Sequence, residues 1–316
     1  MPDKPSKIAI IGAGSVGATI AYACLLRGVA KSIALYDISA QKVEAEVLDL
    51  NHGLQFVPMA TLEGSADLGV CRDADVVVIT AGAKQKPGQT RMDLASANTA
   101  ICKDIVPKLQ AVAPDATFLL VTNPVDVITY IALKVSGLPR ERVFGSGTVL
   151  DSSRFRFLIA KRLRLAVQNV HAYIAGEHGD SEIPLWSSAH VGNIPLHDWA
   201  VQNHGKLTVR DRTEIFQNVK TAAYQVIQGK GATNYAIGLA TTRILEAIVH
   251  DENRVLPVSS LLTDYHEIDD VCLAVPCIVN RKGVEPPLLI PLNQAELAGL
   301  RQSAELIKQT IRAVGF

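Results

Sequence analysis

The stretch Gly12-Ala13-Gly14-Ser15-Val16-Gly17 constrains this chain more than any other. It follows the apolar run Lys7–Ile11 and opens a helix-like pattern at about 16–28. Strand, glycine-rich turn and helix in this register begin a nucleotide-binding βαβ unit. Gly12 permits the tight turn, Gly14 lets a pyrophosphate approach the backbone, and Gly17 allows the helix to lie close on the strand. The helix N-terminus offers free N–H groups and the positive end of its dipole to phosphate. By itself the motif also fits a purely structural turn. Asp37 narrows the choice, standing 20 residues after Gly17 at the end of the next strand-like run. A carboxylate there accepts both ribose hydroxyls and repels a 2′-phosphate, so the sequence predicts NAD rather than NADP. No GxxxxGK[ST] occurs, which excludes a phosphate loop of the ATPase kind.

Ser32–Asp37, Asp75–Thr80 and Thr117–Thr122 continue the series of buried strand-like runs. Helical patterns at about 40–50, 94–112 and 125–136 lie between and after them. This alternation predicts an α/β fold, a doubly wound parallel sheet of the Rossmann type, over residues 1–145. Residues 146–316 read as a second, α+β substrate domain. A helix begins near Asp151 and a strand covers Val167–Ala175. Helices follow at about 209–228 and 234–249, with short strands within 255–291. Asn293 with Glu296 forms a capping-box pattern opening a last helix to about Ala313.

The balance of 31 Lys+Arg against 31 Asp+Glu leaves no net charge to recruit nucleic acid or a membrane surface. The five cysteines, at 24, 71, 102, 272 and 277, form no CxxC pair. They predict reduced thiols in a cytoplasmic protein, with neither a disulfide framework nor a metal site. The polar N-terminus and the glycines within the first apolar run predict no signal peptide, and no run is long enough to span a membrane.

Three further clusters carry chemistry. Gly176-Glu177-His178-Gly179-Asp180-Ser181 places a histidine between glycines at the end of a strand-like run. The glycines let a substrate approach the ring. A carbonyl that accepts a hydride also needs a proton, which His supplies most readily near neutral pH. Asp151 and Arg154 are spaced i,i+3 and share one face of a helix. Asp151 suits an imidazolium partner and Arg154 a two-pronged grip on a carboxylate, although alone the two also read as a local ion pair. The loop Ala81–Arg91, rich in Gly and Pro, leaves the carboxyl edge of the sheet. It reads either as a closing loop that brings Arg91 to a carbonyl or as a solvated basic loop.

Together with Thr122-Asn123-Pro124-Val125-Asp126, these clusters resemble the lactate/malate dehydrogenase family over almost the whole chain. The resemblance implies that His178 and Asp151 form the proton-relay pair. It further implies that Arg154 binds the substrate carboxylate, Arg91 polarises the carbonyl, and Asn123 contacts substrate and nicotinamide. Asn123–Pro124 is then a cis peptide. Gly12, Gly14, Val16, Gly17, Asp37, Lys42, Gly82, Ala83, Thr122, Asn123 and Ser146 become the NAD contacts. The family's specificity position lies six residues before the carbonyl-polarising arginine, and here it is Gln85. Members acting on malate carry Arg there. With Gln, a second carboxylate is buried without a partner, so pyruvate and L-lactate are the implied pair. Lys84 and Lys86 flank it and are expected to point outward. Thr233 matches the position lining the other side of that pocket. A malate dehydrogenase or a broad 2-hydroxy-acid dehydrogenase remains the nearest alternative. A non-catalytic NAD-binding protein is the alternative from another class, and the intact set of His178, Asp151, Arg154 and Arg91 argues against it.

Arg156 lies two residues beyond Arg154, about 200° around a helix and off its face. His171 lies seven residues before His178, so on one alternating strand the two face opposite sides. Either residue alone is an ordinary solvated side chain. In the family, the matching pair forms the fructose 1,6-bisphosphate site of bacterial members. The resemblance therefore implies that effector and a homotetramer whose two-fold axis brings four cationic groups together.

Overall fold

The computed structural model describes residues 6–83, 91–202 and 207–316. In the first half, strands and helices alternate. They are β1 (Lys7–Ile11), α1 (Ser15–Arg27), β2 (Ser32–Tyr36), α2 (Ala40–His52), β3 (Thr61–Ser65), β4 (Val76–Ile79), α3 (Arg91–Val112), β5 (Thr117–Leu120), α4 (Val125–Ser136) and β6 (Val143–Gly145). The six strands pair in parallel in the order β3-β2-β1-β4-β5-β6. The order reverses between β1 and β4, so the loops that follow them diverge and leave a crevice at the carboxyl ends of the strands. Buried on both faces, the central strands contain almost nothing but apolar residues, as in Val-Val-Val-Ile of β4.

Two of these strands escape the apolar pattern. β3, Thr-Leu-Glu-Gly-Ser, is an edge strand that buries only Leu62, and it places the Asp75–Thr80 run fourth in the sheet rather than third. β6 is three residues long, too short for periodicity to register. Its Gly145 is dictated by packing, because an added Cβ would stand 2.4 Å from Thr129 Oγ1.

The second half contains α5 (Val149–Leu163), β7 (Val170–His171), β8 (Ile174–Ala175), β9 (Ile183–Pro184), β10 (His190–Val191), β11 (Ile194–Pro195) and α6 (Leu196–Gln202). Then come α7 (Val209–Lys230), α8 (Tyr235–Val249), β12 (Arg254–Leu262), β13 (Val271–Asn280), β14 (Gly283–Pro287) and α9 (Gln294–Ala313). The capping box at Asn293 and Glu296 is present, with each side chain bonded to the other's backbone N–H. Strands β12–β14 do not form a sheet of their own. They extend the first-half sheet antiparallel to β6, making nine strands in one layer. An apolar core running from Ile8 to Ile311 fills the space around it, and a second cluster, from Phe155 of α5 to Val219 of α7, packs the rest of the second half.

The single strand expected over Val167–Ala175 is replaced by three pieces. Val167–Asn169 is a 3₁₀ turn, β7 pairs with β10, and β8 pairs with β9 in a separate two-stranded sheet. The run is apolar because two different partners bury it, not because it is continuous. His171 and His178 are therefore not on one alternating strand, and that reason for separating them does not hold.

Candidate active site

The cofactor cradle is built from backbone. Gly12 has φ +106°, and its N–H donates to the Tyr36 carbonyl at 2.7 Å. An added Cβ would lie 2.8 Å from Thr80 Oγ1. A Cβ on Gly17 would lie 1.9 Å from the Gly12 oxygen, so helix and strand touch there. Gly14 differs, with only Lys42 Nζ, at 3.8 Å, near its missing side chain among the described residues. The first and third glycines thus serve the fold, and the second leaves the open approach that a pyrophosphate needs. Asp37 lies just after β2. Its Oδ2 accepts from Ala13 N–H at 2.8 Å, and Lys42 Nζ stands 3.7 Å away. Val16 is half-buried in the first turn of α1.

Gly82, Ala83, Thr122, Asn123 and Ser146 gather at the carboxyl ends of β4, β5 and β6. Thr122 Oγ1 donates to the Ala81 carbonyl at 2.7 Å, and Ser146 N–H donates to the Leu120 carbonyl at 2.8 Å. The Asn123–Pro124 peptide is cis, as expected. Buried Asn98 of α3 joins two of these loops: its Oδ1 accepts from Ala83 N–H at 2.7 Å, and its Nδ2 donates to the Asn123 carbonyl at 2.6 Å. Sequence reading misses it because a lone Asn in a helical pattern carries no motif.

The opposite wall comes from α5 and the loop after β8. Asp151, 2% exposed, bridges two cations. Its Oδ2 is 2.5 Å from His178 Nδ1 and its Oδ1 accepts from Arg154 Nη1 at 2.8 Å. Burial alone would raise the Asp151 pKa, but the charges and hydrogen bonds of His178 and Arg154 outweigh it and hold the carboxyl below its ordinary range. Burial alone would likewise lower His178, yet Asp151 pushes it up to about 9. The ionised carboxylate accepts a proton-bearing Nδ1, which leaves Nε2 to face a reactant.

Gly176, φ +88°, turns the chain out of β8 into the His178 loop. Asp126, in the first turn of α4, fixes that loop, its Oδ2 accepting from the His178 backbone N–H at 2.8 Å and its Oδ1 from Ser259 Oγ at 2.6 Å. Burial raises the Asp126 pKa to about 6. Asp126 stands in the Asn123–Pro124 motif, but nothing in the sequence shows that it reaches His178. Glu182, beside β9, is a second missed carboxyl.

Thr233 is half-buried in the turn between α7 and α8. The next residue anchors that turn to the cofactor helix, Asn234 Nδ2 donating to Thr19 Oγ1 at 3.0 Å. Arg156 is on the far face of α5. Its Nε donates to the carbonyl of Ala172, the residue after exposed His171, at 2.7 Å. Gln85, with Lys84 and Lys86, lies outside the described residues; Arg91 opens α3, and its side chain lies outside the description too.

A Rossmann sheet with an acidic residue after its second strand, facing a buried Asp–His pair and an arginine, defines an NAD-dependent dehydrogenase. Comparison with known proteins narrows the class. Residues 6–145 match the lactate/malate dehydrogenase NAD binding domain and residues 148–315 match the alpha/beta C-terminal domain of the same family. An L-lactate dehydrogenase of Bifidobacterium animalis subsp. lactis is 56% identical over 316 residues, covering 100% of this chain and 99% of that protein. One from Thermoanaerobacter sp. strain X514 is 49% identical over 308 residues, 97% of this chain and 98% of that protein. The crystal structure of the minor L-lactate dehydrogenase of Enterococcus mundtii in its ligands-bound form superposes with a TM-score of 0.94 at 41% identity, covering 98% of both chains. The chain belongs to the lactate/malate dehydrogenase family.

Proposed function

We propose that this NAD-dependent oxidoreductase interconverts pyruvate and L-lactate. The observation that carries the reading is Asp151, buried between His178 and Arg154 at 2.5 and 2.8 Å. A proton donor and a carboxylate anchor are thereby tied to one carboxylate, and a 2-oxo acid needs both. Bound NAD supplies the hydride acceptor, and NADH the donor, at the nicotinamide ring. Gly14 and the first turn of α1 hold the pyrophosphate, and Asp37 takes the ribose. His178 Nε2 gives its proton to the carbonyl oxygen in reduction and takes it back in oxidation, while Asp151 stabilises the imidazolium. Arg154 grips the carboxylate and Arg91 polarises the carbonyl. Residues 1–145 serve as the cofactor domain and 146–316 as the substrate domain.

Gln85 sets the substrate. A second carboxylate beside it loses its water without gaining a charge partner, whereas a methyl group loses nothing comparable. The relatives' names agree with this choice. Steady-state assays with pyruvate and oxaloacetate test it: kcat/KM is expected to favour pyruvate by about 10²-fold or more. Equal or reversed values overturn the assignment.

The reading extends to assembly and control. The chain forms a homotetramer in the cytoplasm, and Arg156 and His171 of paired subunits bind fructose 1,6-bisphosphate. Their closeness through Ala172 supports that pairing.

A further inference from the structure

Glu182 closes the loop that carries His178. Its backbone N–H donates to the Gly179 carbonyl at 3.3 Å, and β9 begins at the next residue. Glu182 is 6% exposed, and its buried Oε1 has no hydrogen-bond partner among the described residues. Four groups from three elements face it: Asp151 and Arg154 of α5, His178 of its own loop and, most weakly, Lys220 of α7. Asp126 of α4 acts on the same His178. Of the loop's other acids, Glu177 is taken by Ser181, through its N–H at 3.1 Å and its Oγ at 2.5 Å, and Asp180 accepts from Tyr224 Oη at 3.4 Å. On α9, which packs beside β9, Glu296 is held by Ser187.

We propose that Glu182 is a positioning residue of this active site, one that must be a neutral acid for a 2-oxo carboxylate to be held between Arg154 and His178. The inference rests on the functional reading above. Two carboxyls share one buried site, and only Asp151 has two cations bonded to it, so Asp151 takes the charge. Arg154 and the His178 imidazolium then offset the substrate carboxylate and Asp151, and Arg91 is committed to the carbonyl oxygen. An ionised Glu182 adds a second negative charge beside Asp151 in a largely buried site, where repulsion of the substrate anion is weakly screened. Burial first, and then the Asp151 charge, lift the Glu182 pKa to about 8. The carboxyl is therefore neutral at pH 7 and ionises as conditions turn alkaline. Its charge would favour the imidazolium while repelling the substrate, so its ionisation raises KM and spares kcat.

Substrate binding must then return a proton to Glu182. Oxamate, an unreactive isostere of pyruvate, is titrated calorimetrically into the enzyme–NADH complex at pH 8.5 in two buffers of different ionisation enthalpy. Wild type is expected to take up protons on binding, through Glu182 as well as through His178, whose pKa lies higher. Glu182→Gln is expected to take up no more than about half as many protons and to turn over pyruvate at pH 7 within about threefold of wild type. Equal proton uptake in the two proteins overturns the proposal. So does a folded, NADH-binding Gln variant that is inactive at pH 7, since a neutral isostere should serve. Wild type alone decides the matter if the variant does not fold, because uptake that never exceeds one proton per site as the pH is raised to 10 leaves room for His178 alone. Wild type that binds no oxamate at any pH overturns the functional reading, and this inference with it.

Discussion

At the scale of single residues, the site depends on one carboxylate serving two cations. Replacing His178 with Asn removes the proton donor and leaves the glycine cradle untouched. Pyruvate reduction is expected to fall by about 10²- to 10⁴-fold while NADH affinity, read by fluorescence titration, stays at the wild-type value. A parallel loss of NADH affinity would place His178 in the cofactor site instead. Asp151→Asn tests the pair by pH. His178 stands at about 9 in the folded protein, above its ordinary 6.5, because Asp151 overcomes the effect of burial. Reduction needs the protonated ring, so activity at saturating pyruvate persists up to that value and falls above it. Without the carboxylate the imidazole pKa drops, and the alkaline limb of kcat/KM moves toward acid by more than about one unit. The same shift enters stability with a fixed sign. The raised His178 pKa stabilises the fold fully below about pH 6.5, and that contribution is lost as pH rises through about 9. Gln85→Arg tests specificity: the new guanidinium pairs with the second carboxylate of oxaloacetate and is left unpaired beside a methyl group. The ratio of kcat/KM values should swing toward oxaloacetate by at least about tenfold, and an unmoved ratio would remove Gln85 from the pocket.

At the scale of elements, Asn98 is the cross-brace between the loops after β4 and β5. Asn98→Ala leaves the Ala83 N–H and the Asn123 carbonyl unpaired, each loss costing about 1–3 kcal/mol where the group stays buried. A lower thermal midpoint together with a raised KM for NADH is expected, and a wild-type KM would mean that the brace does not shape the cofactor loops. The central strands and helices of the first half were legible because each is buried enough to be apolar over several residues, as in β1 and β4. β3 and β6 were not, one because an edge strand buries a single side chain, the other because it has three residues. The continuous strand read over Val167–Ala175 shows the converse: an apolar run reports burial and does not say how many partners provide it. Motifs revealed the glycine cradle, Asp37, and the Asp151–Arg154 spacing, all of them local in sequence. Asn98 and Asp126 act on partners many residues away, and no spacing rule connects them to the loops they serve; Glu182 stands only four residues past His178, but nothing in its neighbourhood shows that its side chain is buried.

At the scale of the whole molecule, the single chain leaves apolar side chains in water. Leu48 at the end of α2 is 58% exposed, with Phe56 at 82% and Met59 at 83% beyond it. Between α5 and α8 lies a cavity of about 400 Å³, lined by Leu239, Arg243, Arg254 and Arg156. Such surfaces fit a protein that is complete only as an assembly. Light scattering should therefore give four times the mass of one chain. Fructose 1,6-bisphosphate should lower the KM for pyruvate in wild type and leave an Arg156→Gln, His171→Ala double variant unmoved. Equal responses in both place the effector elsewhere. The single layer of nine strands also bears on how the protein is born. β6 receives its second neighbour only when β12, ending at Leu262, has left the ribosome. At about 5–20 residues per second the three residues of β6 wait on the order of ten seconds with one edge unpaired. For that interval a nascent cofactor domain presents an open strand to every other nascent copy on the same messenger, a hazard that its shortness limits.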